Sequence, residues 1–152
     1  TAVIFDIDVN AGQGTQQIFY EDPTVLTVSI HQDPRTIYPG TGFEGQMGSG
    51  KGEGMNINVP LRPGTGEEEY LKALDSVLER TRGFARDLTV LVLGVDTYMG
   101  DRLGGLRLKE ESFKEIGERF RKFDKLAVLF GGGYSRKVPE LWFSFLSGYL
   151  ED

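Results

Sequence analysis

Two acids at the ends of apolar segments are the first residues of this chain that could do chemistry. Asp6, Asp8 and Asn10 recur at every second position of FDIDVN. Side chains two apart on a strand lie on one side, so these oxygen-bearing groups can converge, and three such oxygens could hold a cation. Asp96 follows TVLVLGV directly. Open parallel sheets bind ligands beyond the carboxyl ends of their strands, which makes Asp8 and Asp96 natural partners. Either carboxylate alone reads equally well as a helix cap or a turn residue; the pair at two apolar strand ends is less ordinary. The other reactive types are scarce. Without cysteine, disulfides, thiolate nucleophiles and thiolate metal sites are excluded, and His31 is the only histidine.

The elements that must position these groups follow from the apolar pattern. Ala2 to Asp8, Thr24 to Ile30, Asn56 to Leu61, Thr89 to Val95 and Leu126 to Phe130 are short runs rich in branched residues and predict strands. Helices are predicted around Thr15 to Tyr20, from Glu67 to about Phe84, from about Lys109 to Phe123 and from about Pro139 to Leu150, the last with proline near its first turn. Near-continuous apolar strands alternating with helices predict an α/β fold with a mainly parallel sheet covered on both faces. The stretch from His31 to Met55 is glycine-rich and without period. It leads into a strand rather than a helix and carries no Lys-Ser/Thr pair, so a close-packed surface loop is expected rather than a phosphate cradle.

A chain of 152 residues with 39% hydrophobic and 26% charged positions predicts one domain over residues 1–152. Its net charge of -6 disfavours nucleic acid and anionic membranes. The one basic cluster, Arg119, Arg121, Lys122 and Lys125, is interrupted by apolar residues and reads as a solvated helix face. No run approaches the roughly 20 apolar residues of a membrane span, and the first residues lack a signal-peptide pattern. A cytoplasmic protein is the expectation.

FDIDVNAGQGTQQIFYEDPTVLTVSIHQ resembles the stretch of histone deacetylases and acetylpolyamine amidohydrolases in which Asp-x-Asp-x-His-His-Gly-x-Gly-Thr precedes a helix and a Ser-x-His strand. YPGTGF, GSGKGEGMNINVPL, GVDTYMGDRLGGLRL and LFGGGY resemble later motifs of that family, in the same order. The resemblance implies a three-layer α/β/α arrangement, part of the arginase/deacetylase fold. This chain would supply five contiguous strands, ordered Leu126, Thr89, Ala2, Thr24, Asn56. It implies a zinc site on Asp8, Asn10 and Asp96, with Tyr134 polarising the amide carbonyl. It places a monovalent cation, potassium, on Asp6 and Ser29, and the acyl-lysine tunnel against Tyr38 and Leu103.

The departures from the family pattern carry equal weight. Asn10 stands where the family has a zinc-ligating histidine, leaving an all-oxygen set that suits harder ions and binds zinc or another divalent cation weakly. Ala11 replaces the second histidine. The family's tandem histidines that activate the water belong to an N-terminal half, and this chain corresponds to the C-terminal half. His31 is expected to be a packed structural residue, so no base remains. The expected function is therefore a degenerate deacetylase-like domain acting through binding or assembly. The alternative is an amidohydrolase of acetyl-lysine or acetylpolyamine-like substrates that works when a partner completes it. The LAVLF strand would be a bare edge. A second copy of this chain, a separate N-terminal-half polypeptide, or the C-terminal helix should cover it, although packing on the sheet is the simpler expectation for that helix.

Overall fold

In the computed structural model, which describes residues 1–151, strands and helices alternate along the chain. The strands are β1 (Ala2–Asp6), β2 (Val25–Gln32), β3 (Asn56–Leu61), β4 (Leu88–Leu93) and β5 (Leu126–Phe130). The helices are α1 (Gln13–Ile18), α2 (Glu67–Arg80), α3 (Glu110–Phe120) and α4 (Val138–Leu150). All strand pairs are parallel and the order is β3-β2-β1-β4-β5, the order expected from the resemblance. The chain runs outward from β1 to β3 and then returns to β4 on the other side of β1. That reversal opens a crevice at the carboxyl ends of β1 and β4.

Alternation along β1 separates two layers. Val3 and Phe5 are fully buried in a core that includes Leu26, Val28, Leu91, Tyr70, Leu74, Phe113 and Phe120. Phe5 meets Phe120 edge-on, with ring centroids 5.4 Å apart. Tyr70, Leu74, Val77 and Leu78 form the buried stripe of α2, and Phe113, Ile116 and Phe120 that of α3, both at helical spacing. Each such aliphatic or aromatic side chain contributes roughly 2–3 kcal/mol of hydrophobic stabilisation. The opposite face carries Ile4, Asp6, Thr27, Ser29, Asn56 and Asn58, which enclose a small polar cavity with Thr15 and Gln16 of α1. Over β4 and β5 that face is thinly covered: Leu129, beside Val92 in the ladder, is 55% exposed.

Several boundaries differ from expectation for local reasons. β1 stops at Asp6 instead of Asp8, because Asp6 Oδ1 accepts the Asp8 N–H (3.0 Å) and Asp8 Oδ1 accepts the Asn10 N–H (2.9 Å). These side-chain turns draw the backbone out of the strand. Strand alternation therefore does not place Asp8 and Asn10. The second helix ends at Arg80, where the buried Thr81 hydroxyl donates to the Leu78 carbonyl. The third ends at Phe120, and Phe123 folds back to 6.0 Å from Phe5.

The last helix does not simply lie on the sheet. α4 crosses α3 at glycines: a Cβ on Gly117 would collide with the Phe145 carbonyl, and one on Gly148 with the Lys114 carbonyl. Its outer face leaves Phe143 and Leu150 exposed. β5 is the last strand of the sheet order, and Phe130 at its end is half exposed with its ring 4.7 Å from Trp142. At the other edge, β3 carries Pro60, and its Asn56 N–H is taken by the Met47 carbonyl; both features block further strand addition.

The segment between β2 and β3 is the close-packed loop expected from its glycines. It has one 3-10 turn at Gly50–Gly52. Gly42, at φ +104°, comes so near the His31 ring and Ala11 that no side chain fits. Of the basic cluster, Arg119 binds Asp75 and Glu115, while Arg121 reaches the Gly148 carbonyl. No helix among the described residues is long and apolar enough to cross a membrane.

Candidate functional site

The crevice at the switch point brings Asp8 and Asp96 together, as the two strand ends predict. Asp96 is buried and its Oδ1 accepts the Val9 N–H at 2.8 Å. Asp8 is held by two backbone N–H donors, Asn10 to Oδ1 and Gly132 to Oδ2 at 3.0 Å. The Oδ2 atoms of the two acids lie together against Gly132, where an added Cβ would collide with both. Glycine here is a steric requirement. Burial, reinforced by the Asp8 charge, pushes Asp96 up from 3.8 to about 7, as expected for two acids crowded in a dry site.

Gly132 belongs to the run that carries Tyr134. Gly131 N–H bonds the Leu93 carbonyl and Gly132 O accepts the Val95 N–H, so the glycines extend the β4–β5 ladder over the acids. The Tyr134 side chain is half exposed, and its backbone N–H donates to Asp101 Oδ2 at 2.7 Å. Asp101 Oδ1 accepts the Leu103 N–H at 2.8 Å. Leu103 is 60% exposed, and Met99 of the same loop is also exposed. On the other side, Asn10 Nδ2 donates to the Tyr38 carbonyl (2.6 Å), and Gln13 Nε2 donates to the Tyr38 hydroxyl (3.1 Å). Tyr38 and Leu103 thus lie on loops tied to different parts of the crevice, and no hydrogen bond among the described residues joins them.

Asp6 and Ser29 lie behind the acid pair. Ser29 Oγ accepts the Gly12 N–H (3.2 Å), and Asp6 Oδ2 leaves no room for a Cβ on Gly12. Burial pushes Asp6 up to about 7. His31 is fully buried: Nδ1 lies 2.8 Å from Ser29 Oγ and Nε2 lies 2.8 Å from the Gly42 carbonyl. The carbonyl can only accept, so Nε2 carries the proton and Nδ1 accepts from Ser29. Burial lowers its pKa. This is a neutral structural imidazole, as its place in Ser-x-His suggests.

The donor set decides what this centre fits. Among the described residues no three His, Cys, Asp or Glu side chains converge. Two carboxylates facing the gap at Gly132 fit a divalent cation. Asn10, at the position the resemblance implies for the third ligand, has its amide nitrogen committed to Tyr38 and has only a carboxamide oxygen to offer, a poor substitute for imidazole toward zinc. Asp6, Ser29 and the small cavity in front of them, about the size of one water, fit a monovalent cation. Gly132 and Asp101 escaped the sequence reading. Gly132 stands two residues before the predicted tyrosine, while Asp101 follows a glycine and reads as an ordinary turn residue.

The sequence profile of the histone deacetylase domain matches residues 1–148. The chain belongs to that family. It is 43% identical over 135 residues to acetylpolyamine amidohydrolase 1 of Pseudomonas aeruginosa, covering 87% of this chain and 39% of that protein. It is 37% identical over 139 residues to a probable deacetylase of Archaeoglobus fulgidus, covering 87% and 38%. The solved acetylpolyamine aminohydrolase of Burkholderia pseudomallei superposes with a TM-score of 0.93 at 34% identity, covering 97% of this chain and 44% of that one. The deacetylase-domain chain therefore spans about two fifths of the length of these relatives.

Proposed function

We propose that this deacetylase-family chain binds an acyl amide and a divalent cation weakly, and acts through binding and assembly rather than as a hydrolase on its own. The observation that carries this reading is the Asp8–Asp96 pair meeting at Gly132. Asp8, Asp96 and the Asn10 oxygen would hold zinc or a harder divalent ion, and Asp6 with Ser29 would hold potassium. A bound divalent cation would supply Lewis-acid polarisation of the amide carbonyl. The Tyr134 hydroxyl donates to that carbonyl oxygen, Tyr38 and Leu103 flank the acyl chain, and Gly132 admits the carbonyl close to the acids.

Among the described residues no histidine is free to take the proton from an attacking water. The one imidazole is buried and engaged at both nitrogens. Hydrolysis of acetyl-lysine or acetylpolyamine-like amides accordingly needs a base from outside residues 1–151. The half-exposed Leu129 and Phe130 favour a partner seated on the β5 edge: a second copy of this chain, or a polypeptide corresponding to the rest of the relatives' length.

The experiment is to measure metal content and acetyl-lysine reporter hydrolysis on the purified chain, with its mass under native conditions. The expected result is substoichiometric metal, no turnover, and a mass above that of one chain or co-purification of the completing polypeptide. Turnover by the chain alone would overturn the reading.

A further inference from the structure

We propose that Asp101 is a positioning residue whose single carboxylate fixes the spacing between the carbonyl-polarising tyrosine, Tyr134, and the apolar side chain of Leu103. This inference rests on the acyl-amide reading of the site. Each Asp101 oxygen serves a different loop. Oδ1 accepts the Leu103 N–H at 2.8 Å, closing a local turn, and Oδ2 accepts the Tyr134 N–H at 2.7 Å across 33 residues. Both bonds go to backbone, so they fix where Leu103 and Tyr134 leave the main chain, whatever their side-chain rotamers.

The two loops need such a strap. Tyr134 and Leu103 are both at least half exposed, so core packing does not hold their side chains. Each loop is anchored farther back: Gly132 at the Asp8 carboxylate, and Gly105 by its N–H to Gln32 Oε1 (2.7 Å) and its carbonyl to the Gly64 N–H. Between those anchors, Asp101 links the two segments directly by side-chain hydrogen bonds, alone among the described residues. A charged acceptor strengthens both bonds relative to a neutral one. The geometry of the strap demands two acceptor oxygens on one planar group. Aspartate supplies both, whereas asparagine supplies one and turns an N–H2 toward the second donor.

The test combines Asp101→Ala, Asp101→Asn and wild type, followed by hydrogen exchange at individual amides and by titration with N-acetyl-lysine methylamide. In Asp101→Ala, both the Leu103 and Tyr134 amides should exchange at least tenfold faster while Phe5 and Leu91 stay protected. In Asp101→Asn, one of the two should lose protection and the other keep it. Probe affinity should fall severalfold in both variants, and the probe-induced shift of the Tyr134 ring resonance should shrink. Unchanged protection of both amides in Asp101→Ala overturns the strap, and so does loss of protection spread through the β1 and β4 core. Lost amide protection with unaltered probe affinity overturns the positioning role. If wild type binds no probe, the acyl-amide reading and the positioning role both fail, while the exchange results still decide whether the strap exists.

Discussion

Replacing Asp96 by asparagine should stabilise the metal-free protein at neutral and alkaline pH. The carboxamide oxygen introduced by Asp96→Asn can keep the Val9 N–H bond (2.8 Å in the native chain), while its N–H2 faces Asp8 Oδ2 in place of a second negative charge. Native Asp96 is pushed up from 3.8 to about 7 by burial and the neighbouring Asp8. Folding therefore takes up a proton between those values. Stability from this group is fully present below pH 4, is lost as pH rises through about 7, and stays lost above it. The distance from 3.8 to about 7 sets a ceiling of about 4 kcal/mol. Because the charge is shared with a partly solvated Asp8, about 2 kcal/mol is the expected gain for Asp96→Asn at pH 8, and about zero at pH 4. Urea unfolding followed by circular dichroism, in EDTA at both pH values, measures it. A divalent cation should reverse the order, since it stabilises wild type by about 2.7 kcal/mol at a hundredfold excess over its Kd and leaves the variant unchanged. A variant less stable than wild type at pH 8 in EDTA would refute the reasoning.

Asn10→His should restore an imidazole at the implied third-ligand position and raise zinc affinity at least tenfold, read by competition with a chromophoric chelator. Gly148→Ala forces a methyl group into the Lys114 carbonyl and should cost about 3 kcal/mol through separation of α3 and α4, measured by thermal unfolding. His31→Phe removes the bonds to Ser29 and to the Gly42 carbonyl, leaving the Ser29 hydroxyl proton and that carbonyl without these partners at a cost of about 2–4 kcal/mol, read from the urea midpoint. Potassium should raise the melting temperature of wild type at pH 8 above its value in the same concentration of a large organic cation, with the difference abolished in Asp6→Asn.

Much of the scaffold was legible because its strands are short runs rich in branched apolar residues separated by helical patterns. TVLVLGV and LAVLF admit few alternatives to strands of a parallel sheet, and motif order set which strand neighbours which. The Asp8–Asp96 pairing was legible for the same reason, since both acids sit just past strand ends flanking the reversal. What escaped depends on contacts between residues distant in sequence. The glycine crossing of α3 and α4 joins Gly117 to Phe145 and Gly148 to Lys114, and no periodicity in either helix announces it. Asp101 looks like a turn residue because half of its work is a turn; the bond to Tyr134 lies 33 positions away. The early end of β1 turned on competition between backbone ladder and carboxylate side chains, which an apolar pattern does not weigh.

The most direct test of the central claim is anomalous diffraction from crystals soaked in manganese or cobalt, with Asp8→Asn and Asp96→Asn soaked in parallel. One anomalous peak is expected in the wild type, in contact with both Asp8 and Asp96 beside Gly132, and it should be lost in either variant. A peak held by only one of the acids, a peak surviving both substitutions, or strong cation binding elsewhere with none between the pair would contradict it.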